Sequence, residues 1–181
     1  EVFNYWFDKM VTLVLPLKRT EPVGDRIVRL VGGFISSIEH ELEETDDEYD
    51  RKEREEVFAR FVDQFVRHML RGIESRDKNA RYRVTQLLAV IMDNIGEIDE
   101  ELYNLLMWSL QKRVYDKESF VRIQSIFCLT KFQDDESVSE AVDDATSKLM
   151  HAIQNDPSAE VRRAAMLNLV NTPNTKKLIM E

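Results

Sequence analysis

The 181-residue sequence has few of the residues that interrupt or cross-link a chain. It contains one cysteine, five glycines and four prolines. Because a disulfide needs two cysteines and a cysteine-rich zinc site needs several, a lone Cys128 excludes both within this chain. The default expectation is a reduced, intracellular setting, with Cys128 as a small core residue on an apolar stripe. The shortage of glycine and proline leaves few turns and favours long helices.

Long apolar runs are also absent. No uninterrupted stretch approaches the roughly 20 residues that span a membrane, so no membrane partner is expected. The opening "EVFNYWFDKM" carries acids where a secretory signal would carry basic residues. Since the sequence opens on Glu1 and stops within the apolar pattern "TKKLIME", we expect it to be a fragment.

The negative charge is concentrated in one stretch. The formal net charge is −9, and residues 39–56 hold eleven acids and three bases, a net of −8. The rest of the chain is therefore nearly neutral, at −1. This run is predicted to end one helix and begin another, with a solvated loop at about 43–52. The sequence leaves open whether the loop is only a solvated surface or has a regulatory or partner-repelling role.

Apolar residues recur at i, i+3, i+4 and i+7 along most of the chain, and strand-like alternation is nearly absent. This periodicity predicts an all-α protein, with Trp6, Phe61, Phe65 and Trp108 as packing residues and with Gly32 and Gly33 allowing close helix packing. The predicted helices lie near 2–15, 22–42, 53–74, 78–95, 99–114, 117–132, 136–154 and 157–171, and a further one begins near 174. Pro22 and Pro157 suit first helical positions, where a missing N–H costs nothing.

A short phrase occurs three times, at separations of 39 and 40 residues. Each copy has an aspartate, an apolar or aromatic residue five positions later, and an arginine directly after that. The copies are Asp77–Tyr82–Arg83, Asp116–Val121–Arg122 and Asp156–Val161–Arg162. Each aspartate is predicted to cap a helix. Each arginine is predicted to have a structural role before a DNA-binding one, because it belongs to the repeated phrase and can pair with an acid of an adjoining unit.

The period predicts stacked pairs of antiparallel helices, about 40 residues to a pair, because one pair alone cannot bury both its apolar faces. The expected fold is a right-handed α-α superhelix of about four repeats plus the start of a fifth. All 181 residues would belong to a single solenoid. Its approximate repeats are 1–43, 53–95, 99–132 and 136–171.

The phrase and its flanking helices resemble the HEAT-repeat superfamily. Longer stretches, above all "RYRVTQLL" and "VRIQSIFCL", resemble the N-terminal HEAT region of the CAP-G family, the fungal-type HEAT subunits of condensin. The resemblance covers essentially the whole chain. It implies a non-catalytic subunit that binds the kleisin CAP-H and, together with it, double-stranded DNA without sequence specificity. It further implies indirect association with the SMC ATPase subunits, and a role in mitotic chromosome condensation and loop extrusion. The implied location is the nucleus and chromosomes, with a cytoplasmic pool outside mitosis.

The charges themselves sort by edge in such a stack. Turns within the helix pairs are basic, whereas turns between pairs are acidic at 39–56, 97–101 and 134–136. A row of cations at repeat spacing can meet successive phosphates of a duplex. The candidate DNA-binding residues are Lys18, Arg19, Arg76, Lys78, Arg81, Lys112, Arg113 and Lys117. The alternative to a DNA-binding role is that these residues are ordinary solvated cations near helix ends.

Other kinds of site have little support. His40, His68 and His151 lack a second ligand at metal spacing, so no metal is expected. No nucleophile–base pair or cofactor motif is present, so neither catalysis nor a cofactor is expected. The rival function is a peptide-binding transport or scaffolding solenoid, importin-like or phosphatase-scaffold-like, with no role on DNA.

Overall fold

A computed structural model describes residues 2–96, 98–133, 144–171 and 175–176. Within these residues the chain forms eight α-helices and no strand. The helices are α1 (Val2–Thr12), α2 (Pro22–Glu43), α3 (Glu48–Leu70), α4 (Lys78–Asn94), α5 (Glu100–Arg113), α6 (Ser119–Thr130), α7 (Asp144–Asn155) and α8 (Ala159–Asn168). None of these helices is long and apolar enough to cross a membrane. The predicted all-α class is confirmed.

The chain divides into two compact units, Glu1–Ser109 and Leu110–Glu181. In the first unit α2 packs on α4 and α1 packs on α3, so alternate helices stack as in a repeat protein. In the second unit α8 packs on both α6 and α7. The predicted repeat at 99–132 spans the division, and the single solenoid over 1–181 stays a prediction. The predicted fifth repeat and much of the helix predicted at 136–154 lie outside the described residues.

Aromatic side chains form the core between α1, α2 and α3. The ring of Phe7 lies 5.5 Å from those of Phe34 and Phe61 and 5.0 Å from that of Phe65, centroid to centroid. Such offset and edge-on pairs add about 0.5–1.5 kcal/mol each to the burial of apolar area. The predicted packing roles of Phe61 and Phe65 are confirmed. The same prediction was wrong for Trp6 and Trp108, whose exposed fractions are 61% and 58%.

The close approach of α2 to α4 depends on Gly32. A Cβ atom on Gly32 would lie 2.5 Å from Cγ1 of Val90, whereas one on Gly33 would meet nothing within 4 Å. The prediction that these glycines permit close helix packing is therefore correct for Gly32 only.

The acidic run ends one helix and begins another as predicted, but the loop predicted at about 43–52 is confirmed only at residues 44–47. α2 continues to Glu43 and α3 begins at Glu48. The carboxylate of Asp47 accepts hydrogen bonds from the backbone N–H groups of Tyr49 and Asp50 and so starts α3. Bases placed four residues from acids, such as Arg54 beside Asp50 at 2.9 Å, offset the like charges along this turn of helix.

The repeated phrase marks the same structural turn in three places, but the predicted register of the first copy was wrong. In each turn an arginine Nη1 donates to the carbonyl oxygen six residues earlier. The bonds are Arg81 to Ser75 at 2.8 Å, Arg122 to Asp116 at 2.7 Å and Arg162 to Asp156 at 2.8 Å. Arg81, and not Arg83, is thus the equivalent of Arg122 and Arg162, and Ser75 replaces the aspartate.

The side chains of these turns confirm the register. Ser75 Oγ accepts the backbone N–H of Asp77, and the carboxylates of Asp116 and Asp156 accept those of the residues two positions later. Asp77 caps α4 as predicted, since it accepts the N–H of Asn79. Asp116 and Asp156 instead precede the capping residue by two positions, because α6 begins at Ser119 and α8 at Ala159. For the same reason Pro157 precedes its helix, whereas Pro22 occupies the first turn of α2 as predicted.

Candidate nucleic-acid interface

The turn between α1 and α2 carries the first two candidate cations. Lys18 and Arg19 are both exposed. The backbone of the turn is fixed on both sides, because the N–H of Lys18 donates to the Glu21 carboxylate at 2.9 Å and its carbonyl accepts from Arg83 Nη2 at 2.8 Å. These two bonds hold the backbone that carries both cations.

The turn between α3 and α4 carries the next three candidates, and they differ from one another. Arg76 and Lys78 are exposed. Arg81 has an exposed fraction of 5%, and its Nη1 donates to the carbonyls of Ser75 and Arg76 at 2.8 and 3.2 Å. Arg81 is therefore a structural residue of the repeat turn. Its prediction as an exposed phosphate ligand is corrected, because the guanidinium closes the turn from inside.

These two turns lie side by side in the first unit. A Cβ atom on Gly72 would lie 3.6 Å from Cδ1 of Leu15. Arg83, on the first part of α4, reaches the carbonyls of the α1–α2 turn. Burial raises the pKa of the Tyr82 hydroxyl, and the charges of Arg83 and Arg19 partly oppose that rise. The structure thus brings four exposed cations, Lys18, Arg19, Arg76 and Lys78, to one edge of the unit, which we call the basic edge.

Arg83 joins α4 to the α1–α2 turn and is fully buried. Its Nη1 donates to the Asp25 carboxylate at 2.6 Å and to Gln86 Oε1 at 2.8 Å. Partial burial favours a raised pKa for Asp25, but the hydrogen bonds from Arg83 and Gln86 outweigh it and hold the pKa of Asp25 below its ordinary value. The predicted pairing of Arg83 with an acid of the adjoining helix pair is confirmed. The guanidinium leaves no room for a side chain at Gly24, where a Cβ atom would lie 2.4 Å away.

In the second unit Lys112 and Lys117 are exposed near the turn between α5 and α6. Arg113 between them is held differently. Its side chain is 14% exposed, and its Nη1 donates to the buried carboxylate of Asp116 at 2.7 Å. The Asp116 carboxylate offsets the charge of Arg113. The prediction that Arg113 is an exposed phosphate ligand is therefore corrected: its side chain stabilises the turn between α5 and α6.

Arg122 and Asp156 form a bidentate pair in the second unit, with both N···O distances at 2.7 Å. This confirms the predicted structural role of Arg122. Burial alone would raise the pKa of the Asp156 carboxyl. The hydrogen bond from Arg122, together with that from the Ser158 backbone and the nearby positive charges, outweighs burial and holds this pKa below its ordinary value. Arg162 is exposed, and its bonds go to the carbonyls of Asp156 and Pro157.

Most acids of the first unit lie at the opposite ends of the same helices, whereas Glu21, Glu74 and Asp77 lie in the turns of the basic edge. The Glu39 carboxylate near the end of α2 accepts the N–H of Gly96, which follows α4, at 2.9 Å. That bond places the end of the acidic run beside the turn that leads to α5, where Asp99 and Glu100 lie. We call this surface the acidic edge. The sorting of charge by edge stays a prediction, which the positions of Glu39 and Asp99 in the first unit support. The acids predicted at 97 and 134–136 lie outside the described residues.

Sequence reasoning missed two cations near the basic edge. Arg26 and Arg29 are exposed on the first two turns of α2, directly after the α1–α2 turn. Their spacing of i and i+3 was the available signal, since it places both on one face of a helix. No group of three metal-ligating side chains occurs among the residues that the structure describes.

No family model matches the sequence. Condensin complex subunit 3 of Saccharomyces cerevisiae is 58% identical to it over an alignment that covers 100% of this chain and 18% of the yeast protein. The protein of the same name from Schizosaccharomyces pombe is 33% identical over 96% of this chain and 18% of its own length. The human protein of the same name is 27% identical over 91% of this chain and 16% of its own length. The chain belongs to the condensin complex subunit 3 family.

A solved structure supports the assignment at the level of fold. The crystal structure of the S. pombe condensin Cnd3–Cnd2 subcomplex matches 99% of this chain and 21% of the compared chain, with a TM-score of 0.80 and 29% identity. The resemblance to the condensin HEAT subunits and the HEAT-repeat fold are thereby confirmed. The chain spans between 16% and 21% of the length of these relatives.

Proposed function

We propose that this chain is part of a non-catalytic condensin subunit that binds the kleisin subunit and the backbone of double-stranded DNA. The single observation that carries the DNA role is the basic edge. Two adjacent turns, fixed by Arg81 and Arg83 from within, present Lys18, Arg19, Arg76 and Lys78 to solvent. The family assignment supports the condensin role.

The mechanism is electrostatic capture. Each phosphate neutralised by a lysine or arginine releases counterions and steepens the salt dependence of binding by about 0.9 in log–log slope. Four such contacts give a slope of about −3.6 from the basic edge. Contacts of this kind position a protein on the duplex without reading its sequence. Lys112 and Lys117 of the second unit add to the slope wherever they reach phosphates.

The kleisin is the second partner in this proposal. The S. pombe relative was solved as a Cnd3–Cnd2 subcomplex, and we place the corresponding kleisin, CAP-H, against exposed helix faces of this subunit. With the kleisin in place, the subunit anchors condensin to DNA for chromosome condensation and loop extrusion, while ATP hydrolysis belongs to the SMC subunits. The proposed location is therefore the nucleus and chromosomes. We further propose that the repeats at 1–43, 53–95, 99–132 and 136–171 form one continuous solenoid.

The test measures binding of a random-sequence duplex to the full-length subunit with its kleisin, over a salt series. The variant replaces Lys18, Arg19, Arg76 and Lys78 by Asp. We expect a shallower salt slope and a loss of at least about a hundredfold in affinity, since four attractive contacts become repulsive. A matched control replaces four exposed bases of α3, Arg51, Lys52, Arg54 and Arg60, by Asp, which changes net charge equally on a helix outside the basic edge.

Equal losses in both variants would show that only net charge matters and would contradict the proposed edge. No loss in the first variant, or flat salt dependence in the unaltered protein, would favour the peptide-binding scaffold instead.

A further inference from the structure

The acidic edge of the first unit contains a cleft that the DNA proposal does not use. It has a volume of about 560 Å³ and lies between the end of α2, the first half of α3 and residues 95–96 and 98–102. This volume is within the range of about 300–1,000 Å³ found for ligand pockets. One side of the cleft is the first half of α3, which begins at Glu48, within the loop expected at about 43–52.

The floor of the cleft is apolar and buried. It is formed by side chains from four segments, each with an exposed fraction below 9%: Leu42, Phe58, Val62, Ile95 and Leu102. The Glu39–Gly96 hydrogen bond of 2.9 Å ties the two sides together. The cleft is therefore a preformed apolar groove between packed helices.

The rim is acidic. Four carboxylates, Glu39, Glu43, Glu55 and Asp99, line the cleft against one guanidinium, that of Arg51, for a formal net charge of −3 among the described lining residues. Arg51 Nε lies 3.7 Å from the Glu55 carboxylate, and both side chains are about half exposed. An arginine side chain of this chain thus already lines the groove, which demonstrates that the rim accommodates a guanidinium.

An apolar floor below carboxylates matches lysine and arginine, whose aliphatic stems cover apolar surface while the cation stays near water. A nucleic acid is excluded as an occupant because its phosphates would face the carboxylates. We propose that this cleft binds a basic peptide segment of a partner protein, one in which lysines or arginines flank an apolar side chain. The site lies on the acidic edge and is independent of the basic edge.

The probe is a fluorescein-labelled synthetic peptide of roughly twelve residues made of Arg-Leu-Lys repeats, and its anisotropy is measured with the full-length subunit bound to its kleisin. Two comparison peptides replace leucine by serine or the bases by glutamate. We expect the serine peptide to bind about tenfold more weakly and the glutamate peptide not to bind, because the groove needs both an apolar contact and a cation.

Protein variants locate the binding. Glu43→Lys combined with Glu55→Lys should weaken the Arg-Leu-Lys peptide by about tenfold or more, since two rim attractions become repulsions. The matched control is Glu44→Lys with Glu56→Lys, the neighbouring exposed acids that do not line the cleft. It makes the same change in charge and should stay within about twofold.

A third variant, Ala59→Phe, fills the groove without changing any charge. Ala59 is exposed and lines the cleft, so the substitution is expected to leave thermal melting unchanged and to abolish peptide binding. Because Ala59→Phe alters no charge, it should also leave duplex binding unchanged. The proposal is overturned if the unaltered protein binds the serine peptide equally well, if the control pair weakens binding as much as the rim pair, or if Ala59→Phe binds normally.

Discussion

Removing the Asp25 carboxylate should destabilise the protein far more than removing an ordinary surface carboxylate. Asp25→Ala leaves the guanidinium of Arg83 buried, with no exposed surface and no anionic partner. Breaking an ion pair that is buried on both sides typically costs about 3–5 kcal/mol, but the Asp25 side chain is 43% exposed. Because water can reach the vacated position and Arg83 keeps Gln86 and carbonyls of the α1–α2 turn, we expect a smaller loss of about 2 kcal/mol.

The assay is urea unfolding followed by far-ultraviolet circular dichroism. Asp50→Ala is the matched control, because Asp50 also lies in the first turn of its helix and bonds an arginine, but there both side chains are about half exposed. Such a surface pair is worth about 0.2–1 kcal/mol. Adding Arg83→Met to Asp25→Ala should restore about 1–2 kcal/mol, since the unpartnered buried charge is gone. Equal losses for Asp25→Ala and Asp50→Ala, or no restoration in the double variant, would refute this account.

The contribution of Asp25 to stability should also depend on pH in a definite direction. The folded-state pKa of Asp25 lies below its ordinary value of 3.8. A depressed carboxyl pKa contributes stability that is fully present above the unfolded-state pKa and is lost as the pH falls through the folded-state pKa. The difference in stability between the unaltered protein and Asp25→Ala should therefore be constant from neutral pH to about pH 5 and should shrink below about pH 4.

Two further substitutions test the packing. Val121 is fully buried, so Val121→Asp places an unpaired charge in the second unit and should cost several kcal/mol, seen as aggregation or a lost thermal transition; wild-type melting would mean that α6 is wrongly oriented. Gly32→Ala should lower the melting temperature because its methyl group would meet α4, whereas Gly33→Ala should raise it slightly by improving helix propensity. Equal effects of the two alanines would contradict the close approach of α2 to α4.

The periodic apolar pattern was sufficient to predict the fold class and most helices, because burial at i, i+3, i+4 and i+7 decides which face packs. In the second and third copies of the phrase the pattern places Val121, Ser125, Val161 and Ala165 inward, and all four are buried. Periodicity could not fix the register of the first copy. The sequence there offers arginines at both 81 and 83, and only the carbonyl contacts distinguish them.

The same ambiguity explains the corrected site residues. From the sequence alone, every lysine or arginine near a turn is predicted to be an exposed cation. In the structure the side chains of Arg81 and Arg113 instead form hydrogen bonds within their own turns. The acidic stretch misled for a related reason. A dense run of like charge favours a loop, and the loop was predicted to extend to about residue 52. The cap at Asp47 and the bases four residues from acids instead start α3 at Glu48.

The separation of the basic edge from the acidic edge gives the first unit a large electric dipole moment along its helices. A molecule with an overall excess of negative charge is repelled by a polyanion at long range, and ions screen that repulsion beyond about 8–10 Å. Closer in, the field exerts a torque that turns one end of the helices toward the polyanion and the other away. The arrangement therefore selects the orientation of each encounter before any contact forms, and raising the ionic strength would randomise that orientation.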